Sequence, residues 1–204
     1  MELSRQEIID MIADLEWKQF DKTKNEGARA SCQDDPETFF IMRKSQYMAW
    51  PDELLEMYLG DILGAKEAGW NLITEKYARM MESTAPDRYE QLKDSLPERS
   101  DVRKQIAEQI ISIQVGWMED FASRYPRMAR NARSIHTYED SAYNTSYETY
   151  LRGELGTYSD ETFKMYGQFI AGLAKQGLNL ADMIMTNTAK LYGYKSLDDA
   201  EKEF

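Results

Sequence analysis

Helix start and stop signals recur along the whole chain and bracket segments whose apolar residues lie three or four positions apart. Ser4 and Glu7 have the spacing of a capping box, and a helical apolar pattern follows through residues 8–20. Asp35 and Pro36 have the composition of an N-cap and a first helical residue. No segment alternates like a strand, and no Asn-Gly or Asp-Gly hairpin turn occurs. The sequence therefore predicts an all-α fold.

The same signals predict a single helical domain, residues 1–204, built as a bundle of about seven to nine helices. Pro51 ends the second helix, and one long pattern then runs from about residue 52 to 81. Further helices are predicted near residues 86–96, 100–125, 145–155, 159–176, 179–192 and from 196 onward, with Thr145 and Glu148 as a capping box and Gly177 as a C-terminal cap. Two long irregular loops remain, residues 21–35 and 126–145, and loops of that length are often functional or mobile.

Composition restricts the class of protein. The 204 residues are 42% hydrophobic and 30% charged, which is typical of a globular chain. The net charge of -11 makes nucleic acid an unlikely partner, because phosphate binding depends on clustered Lys and Arg. One cysteine fits a reducing cytoplasm, and the N-terminus is charged where a signal peptide needs an apolar core. No apolar run is long enough to span a bilayer, so we expect a cytoplasmic protein without membrane contact.

The segment "NEGARASCQD", residues 25–34, is polar, lacks helical periodicity and holds the only cysteine. If the chain turns back before Asp35, the thiol of Cys32 lies near free backbone N–H groups, which favour a thiolate. A catalytic thiolate also needs a base, and the only histidine, His136, is distant in sequence. The alternative is that Cys32 is a small packed residue and that Asp34 and Asp35 are helix caps.

Polar residues near this segment have the chemistry of a ligand site. Arg29 and Gln33 could bind a polar ligand without any covalent step at the cysteine. Arg43 and Gln46 lie one short turn apart on the next predicted helix. Arg43 is on an otherwise apolar face and needs a carboxylate partner, which leaves a structural ion pair and anion recognition as alternatives.

A second block, residues 145–163, interleaves charges with aromatic rings. Its charged residues include Glu148, Arg152 and Glu154, and its tyrosines include Tyr147, Tyr150 and Tyr158. Glu148 and Arg152 have the i,i+4 spacing of a helical ion pair. Such a pair contributes about 0.3–0.5 kcal/mol to helix stability, which explains these two residues without a function. Gly153 and Gly156 are less easily explained, because glycine inside a helix costs about 1 kcal/mol relative to alanine. We therefore expect a close approach there, by another helix or by a ligand.

Metal and cofactor motifs are scarce. One histidine and one cysteine exclude the common zinc sites, and we predict no metal and identify no cofactor. A carboxylate-only magnesium site built from Asp34, Asp35, Glu148 or Glu154 is the open alternative, although no Glu-x-x-His motif supports it. There is no phosphate-binding glycine loop and no nucleophile elbow.

The string "RNARSIH" contains Arg130 and His136 at the Arg-polar-x4-His spacing. It resembles the motif of the helical HEPN ribonucleases, in which His and Arg serve RNA cleavage. Pro126 and the polar surroundings suggest a loop here, whereas those enzymes carry the motif on a helix. The acidic charge also opposes RNA binding.

Three strings together resemble a bacterial family, the domain-of-unknown-function 4125 family, over essentially the whole chain. They are "NEGARASCQDDPETFFIMRKSQYMAW", "TSYETYLRGELGTYSDETF" and "LYGYKSLDDAEK". The resemblance implies a stand-alone protein of this size or a partner of a nucleotidyltransferase-like domain, and it carries no established activity. The matching positions are Asn25, Glu26, Gly27, Arg29, Ala30, Ser31, Cys32, Gln33, Asp34, Asp35, Arg43, Ser45, Gln46, Trp50, Glu148, Thr149, Tyr150, Arg152, Gly153, Glu154, Leu155, Thr157, Tyr158 and Ser159.

Our leading hypothesis is a polar pocket, lined by Arg, Glu and Tyr, where residues 25–46 meet residues 145–159. It would bind, and as an enzyme convert, a small polar or anionic metabolite. The candidate catalytic residues are Cys32, Glu148 and Glu154, and the candidate ligand-binding residues are Asn25, Glu26, Arg29, Gln33, Asp34, Arg43, Gln46, Tyr150, Arg152 and Tyr158.

Two other hypotheses remain open at this stage. One is a non-catalytic accessory module, binding a nucleotidyltransferase-like protein partner or a second copy of itself. A deep cavity at the meeting of the two blocks favours the first hypothesis, and a filled core favours this one. The other is a HEPN-like ribonuclease that uses Arg130 and His136.

Overall fold

The all-α class predicted from the sequence is confirmed by the computed structural model, which describes residues 3–23 and 31–203, apart from the side chains of Ser31 and Cys32. Over these ranges there is no strand, only one isolated bridge between Ser141 and Asn144. The described helices number eleven, more than the seven to nine expected. They are α1 Arg5–Lys22, α2 Pro36–Tyr47, α3 Asp52–Glu67, α4 Leu72–Thr84, α5 Pro86–Leu92, α6 Asp101–Arg124, α7 Pro126–Arg130, α8 Tyr147–Leu155, α9 Asp160–Lys175, α10 Leu180–Leu191 and α11 Leu197–Glu203, with 3-10 helices at Ser31–Asp34, Lys93–Ser95 and Thr137–Glu139.

Most helices begin at the predicted cap. The Ser4 backbone N–H donates to the Glu7 carboxylate at 2.8 Å, and the Ser4 hydroxyl accepts from the Glu7 N–H, which completes the capping box of α1. Asp35 accepts a hydrogen bond from the Thr38 N–H at 3.1 Å and starts α2. Gly177 has φ +69° after α9, the left-handed conformation expected of a glycine C-terminal cap.

Two boundaries differ from the prediction. The long pattern from residue 52 to 81 forms two helices, because Gly69 adopts φ +69° and Asn71 then caps α4 by accepting from the Thr74 N–H at 2.9 Å. The cap of α8 is Ser146 and not Thr145, and the carboxylate of Glu148 is bound by a different segment. The region predicted to be an irregular loop, residues 126–145, contains α7 and the 3-10 helix Thr137–Glu139.

The core is an aromatic cluster beneath α1, α2, α3, α8 and α9. Trp50, only 1% exposed, makes edge-on contacts with Tyr47, Tyr58, Tyr158 and Tyr166 at ring-centroid distances of 5.1–6.2 Å. Helix α4 packs on α8 and α1, α6 packs on α8, α9 and α10, and α11 packs on α7. Within the described part of the chain, no helix has the length and apolar character needed to cross a membrane.

Candidate functional site

The two sequence blocks meet in a network of ionic and phenolic side chains, here called the buried ionic network. Helices α2 and α8 supply residues from the two blocks, and α1, α3 and α4 supply residues from elsewhere in the chain. Most members are almost completely buried, and Gln46 and Tyr150 are half-buried. The network consists of Glu16, Arg43, Gln46, Tyr47, Tyr58, Lys76, Tyr150, Glu154 and Tyr158.

Glu16 is the first of two buried carboxylates. It accepts two hydrogen bonds from the Arg43 guanidinium, from Nε and Nη2, each at 2.7 Å. The hydroxyls of Tyr47 and Tyr58 donate to it at 2.7 and 2.8 Å, and Arg43 also donates to the Tyr47 hydroxyl. Bidentate pairing with arginine is the strong form of a charge-assisted hydrogen bond.

Glu154 is the second carboxylate. Gln46 and Tyr158 donate to its Oε1 at 2.7 and 3.1 Å, while Arg43 and Lys76 donate to its Oε2 at 3.1 and 3.4 Å. Burial opposes ionisation, but the charges of Arg43 and Lys76 with the hydrogen bond from Gln46 outweigh it and lower the pKa of Glu154 to about 2. Glu154 is therefore ionised at neutral pH.

The charges of the buried ionic network balance, with two carboxylates against two cations. Burial favours the neutral form of Arg43, but the carboxylates of Glu154 and Glu16 raise its pKa. Lys76 donates to the Tyr150 hydroxyl at 2.7 Å and lies 4.2 Å from the centroid of that ring. Where the described residues of the two blocks meet, the side chains bind one another, which is the arrangement expected of a structural network.

An open cleft lies on the other side of α8, and its volume is about 530 Å³. Helix α8 separates the two sites, because Glu154 contacts the buried ionic network whereas Arg152 lines the cleft. No member of the network is among the described residues that line it. This arginine cleft is lined by Arg79, Glu82, Ser83, Tyr89, Arg99, Arg103, Lys104, Ala107, Glu108, Thr137, Thr149, Arg152, Leu155 and Gly156.

Three arginines meet at one end of the arginine cleft. Arg79 donates to buried Glu75 at 2.7 Å and to the Pro97 carbonyl at 2.6 Å. Arg99 donates to the Gly156 carbonyl at 2.9 Å, and its Nη2 is 3.8 Å from Glu75. Arg103 donates to the carbonyls of Leu155, the last residue of α8, and of Tyr158, and it pairs with the exposed Asp160. One buried carboxylate is thus shared by two guanidinium groups.

Arg99 shows the electrostatic result of this crowding. Burial lowers its pKa, and the neighbouring charges of Arg103 and Arg79 lower it further. The carboxylates of Glu75 and Asp160 oppose this effect but do not cancel it. The three guanidinium groups at this end thus pair with two carboxylates, those of Glu75 and Asp160.

Hydroxyl groups dominate the other end of the arginine cleft. Arg152 donates to the Thr137 hydroxyl at 3.0 Å, and the hydroxyls of Thr137 and Thr149 are 3.0 Å apart. Thr149 and Ser83 both donate to Asp140, at 2.5 and 2.6 Å. Asp140 thereby links α4 to α8.

Arg152 lies between the two ends. Its guanidinium binds Glu108 through two hydrogen bonds of 2.7 and 2.9 Å and Glu148 through one of 2.9 Å. Glu148 in turn accepts the Thr137 backbone N–H at 2.8 Å, and these bonds lower its pKa against the effect of burial. Glu148 therefore positions Arg152 and the 3-10 helix that carries Thr137.

The family model described as "Protein of unknown function (DUF4125)" matches residues 6–202. The chain belongs to the DUF4125 family. The resemblance that the three sequence strings predicted is thus confirmed. No curated protein and no solved structure matches the chain.

The glycines of the second DUF4125 block are explained by a neighbouring helix. A Cβ on Gly153 would lie 2.8 Å from Met80 Cγ and 2.9 Å from the Lys76 carbonyl oxygen. A Cβ on Gly156 would lie 2.5 Å from Arg79 Cδ. Of the two expected neighbours, a helix or a ligand, it is helix α4 that approaches.

The remaining predicted residues of this DUF4125 protein are placed as follows. Asn25, Glu26 and Arg29 lie outside the described residues, as does the side chain of Cys32. Gln33 is buried and donates to the backbone carbonyls of Phe20 and Thr23 at 2.7 and 2.9 Å, so it closes the end of α1. Asp34 is exposed at the end of the 3-10 helix Ser31–Asp34.

The residues of the HEPN-like string do not share a helix. Arg130 is the last residue of the short helix α7, and His136 precedes the 3-10 helix Thr137–Glu139. His136 Nε2 lies 3.1 Å from Glu119, and its ring stacks on Tyr138 with the centroids 4.9 Å apart. No group of three or more His, Cys, Asp or Glu side chains that could hold a metal occurs in the described ranges.

Sequence reasoning missed most residues of the arginine cleft and four members of the buried ionic network, Glu16, Tyr47, Tyr58 and Lys76. Glu16 gave a usable signal, since it lies on the apolar face of α1 four residues after Ile12 and four before Phe20. Arg79, Arg99 and Arg103 gave none, because each has the local appearance of a surface cation.

Proposed function

We propose that this DUF4125 protein binds a small anionic metabolite in the arginine cleft. One observation carries the proposal: among the described residues that line the cleft, five are cations and two are carboxylates, in a chain whose net charge is -11. The cations are Arg79, Arg99, Arg103, Lys104 and Arg152, and the carboxylates are those of Glu82 and Glu108. Glu75, Asp160 and Glu148 pair with four of these arginines from outside the lining, so the excess of positive charge lies at the cleft surface, where it attracts anions against the average field.

The chemistry and size of the arginine cleft support this function. Guanidinium groups present several N–H donors in a plane, an arrangement that suits carboxylate and phosphate oxygens. Arg99 and Arg79 share one carboxylate, so an incoming anion relieves their mutual repulsion. The volume of about 530 Å³ lies in the range of metabolite sites, about 300–1,000 Å³.

Binding is tested by calorimetric titration of the full chain with inorganic phosphate, pyrophosphate and citrate. We expect at least one of them to bind with a Kd below about 1 mM. Arg99→Gln and Lys104→Gln should each weaken that binding by at least about tenfold, or roughly 1.4 kcal/mol. The side chain of Lys104 is well exposed, and its Nζ lies 3.6 Å from a carboxylate oxygen of Asp101 on the same helix. Because most of this side chain is in solvent, we expect its replacement to leave the fold intact.

Arg124→Gln is the matched control. Arg124 lies on the same helix as Lys104, is 40% exposed, and pairs with Asp120 and Asp182 outside the arginine cleft. Its replacement should leave binding unchanged. Absence of binding by all three anions overturns the proposal, and so does an equal loss in Arg124→Gln, which would indicate only a general charge effect.

A second candidate function is the non-catalytic accessory module, which the filled core at the meeting of the two DUF4125 blocks supports. In that case Arg43, Gln46 and Glu154 stabilise the fold, and the arginines of the cleft hold α4, α6 and α8 together. The same titrations separate the two functions, because an accessory module of this kind shows no saturable binding of small anions.

A further inference from the structure

The arginine cleft is chemically polarised along its length. Arg79 reaches the Gly156 end of α8, whereas Ser83, one turn further along α4, is joined through Asp140 to Thr149 near the start of α8. Helices α4 and α8 therefore run in opposite directions along the cleft. The guanidinium groups of Arg79, Arg99 and Arg103 lie at one end and the hydroxyls at the other, where Arg152 donates to Thr137. Four residues of helix separate the levels of Arg79 and Ser83 by about 6 Å along α4.

The direction of the hydrogen bonds at the hydroxyl end follows from Asp140. Its Oδ1 accepts the Ser146 N–H at 2.7 Å, and its Oδ2 accepts the hydroxyls of Ser83 and Thr149. An ionised carboxylate has no proton to donate, so both hydroxyls must donate to it. The Thr149 proton is thereby committed, and Thr137 must donate to Thr149 while it accepts from Arg152.

The hydroxyls of Ser83, Thr137 and Thr149 consequently offer acceptors and no free proton. The hydroxyl protons of Ser83, Thr137 and Thr149 all point to protein partners, which leaves lone pairs for a ligand. The Glu82 carboxylate on the rim is also an acceptor. A group that binds here must donate hydrogen bonds, as a hydroxyl or an amine does.

The charge next to the acceptors distinguishes hydroxyl from amine. Arg152 Nη1 lies 3.0 Å from the Thr137 oxygen, so a ligand ammonium beside Thr137 would face a guanidinium. Three carboxylates near these acceptors already have partners, since Asp140 accepts three hydrogen bonds and Glu108 and Glu148 bind Arg152. A neutral hydroxyl needs no counter-charge and meets no repulsion from the guanidinium. Resting on the proposed anion binding, we infer that the ligand is a phosphomonoester of a small polyhydroxy compound, with its phosphate at the guanidinium end and its hydroxyls toward Ser83 and Thr137.

The inference is tested by titrating the full chain with methyl phosphate, ribose 5-phosphate and O-phosphoethanolamine. All three are phosphomonoesters, and they differ in carrying no further donor, several hydroxyls or an ammonium. Ribose 5-phosphate should bind at least about tenfold more tightly than methyl phosphate, a difference of about 1.4 kcal/mol. O-phosphoethanolamine should show no such gain.

Two variants separate the ends of the arginine cleft. Ser83→Ala should reduce the advantage of ribose 5-phosphate over methyl phosphate by at least about threefold while leaving methyl phosphate binding unchanged. Arg99→Gln should weaken both ligands alike. Thermal unfolding of each variant checks that the fold is retained, and Thr137→Val is the second acceptor variant if Ser83→Ala unfolds.

The failures are distinguishable. Equal binding of ribose 5-phosphate and methyl phosphate overturns the polyhydroxy ligand class but leaves the anion site intact. Tighter binding of O-phosphoethanolamine than of ribose 5-phosphate has the same consequence. Failure of all three phosphomonoesters, when pyrophosphate or citrate binds, also overturns only the ligand class. Failure of every anion removes the proposed function itself.

Discussion

Glu154 is ionised in the interior of the molecule, and its stability there depends on four donors. A buried charge is costly unless it is paired and its remaining lone pairs are bonded. Arg43 connects it to Glu16, so the two carboxylates and two cations act as one neutral unit. Removal of one member leaves an uncompensated charge, which typically costs about 3–5 kcal/mol.

Glu154→Gln should therefore destabilise the protein in a manner that depends on pH. The folded pKa of about 2 lies below the ordinary value of 4.5, so the contribution of the carboxylate is complete above pH 4.5 and is lost as the pH falls toward 2. We expect a difference in unfolding free energy between wild type and variant of about 3 kcal/mol at pH 7, shrinking toward zero near pH 2.

Denaturant unfolding at several pH values between 2 and 7 measures this difference. Glu161→Gln, which replaces an exposed carboxylate on α9, is the control and should change the unfolding free energy by less than about 0.5 kcal/mol at any of these pH values. A difference for Glu154→Gln that stays constant across the range would contradict an ionised, network-bound Glu154.

At the scale of helices, the contact between α4 and α8 depends on Gly153. An added Cβ would meet a backbone carbonyl at 2.9 Å, and a carbonyl within a helix cannot move aside as a side-chain end can. We expect Gly153→Ala to destabilise the protein by about 1–3 kcal/mol, although alanine is the better helix former. The same displacement should move Lys76 away from Glu154 and Tyr150.

Gly116→Ala provides the comparison. Gly116 lies in the middle of α6, and a Cβ there would meet no atom within 4 Å. This variant should stabilise the protein by up to about 1 kcal/mol through helix propensity alone. Thermal and denaturant unfolding of the two variants give the measurement, and stabilisation by Gly153→Ala would show that the helices separate at little cost.

Helices were predictable where the signal is local, whereas the tertiary partners of the candidate site residues were not. Ser4, Asp35 and Gly177 act through neighbours within four residues, so their roles follow from sequence. Gly69 divides α3 from α4 inside a continuous apolar pattern, and that pattern hid the break. Arg43 was correctly expected to need a carboxylate, but its Glu16 partner lies 27 residues away and the pairing is tertiary.

The arginine cleft shows the same limit more strongly. Its cations come from α4, α6, α8 and the segment before α6, and nothing in those local sequences indicates that they converge. Only the packing of α4 and α6 against α8 brings them together. Among these cations, the sequence indicated Arg152 through its place in the second block.

For the whole molecule, the net charge of -11 means that folding brings like charges closer together. Raising the NaCl concentration from about 0.05 M to 0.5 M shortens the screening length from more than 10 Å to a few Å and weakens this repulsion. Exposed pairs such as Arg124–Asp120 weaken too, but each contributes only about 0–1 kcal/mol. Buried pairs are screened much less.

We therefore expect the thermal unfolding midpoint to rise by a few degrees over this range of NaCl, as followed by circular dichroism. The Arg124→Gln variant estimates the opposing loss from one surface pair and should show a slightly larger rise. A midpoint that falls with added NaCl would mean that surface ion pairs, and not overall repulsion, dominate the electrostatic free energy of folding.

Helix α8 lies between the arginine cleft and the buried ionic network, and Gly153 lets it pack directly against α4. The nine-residue helix is held in place by ionic hydrogen bonds on one side and by Arg152, Glu148 and Glu108 on the other. Such bonds lose strength within a few tenths of an ångström of displacement. This side of the cleft is consequently preorganised, because the orientation of its hydrogen-bond donors is already set. Binding of a ligand would therefore cost little conformational entropy of the protein.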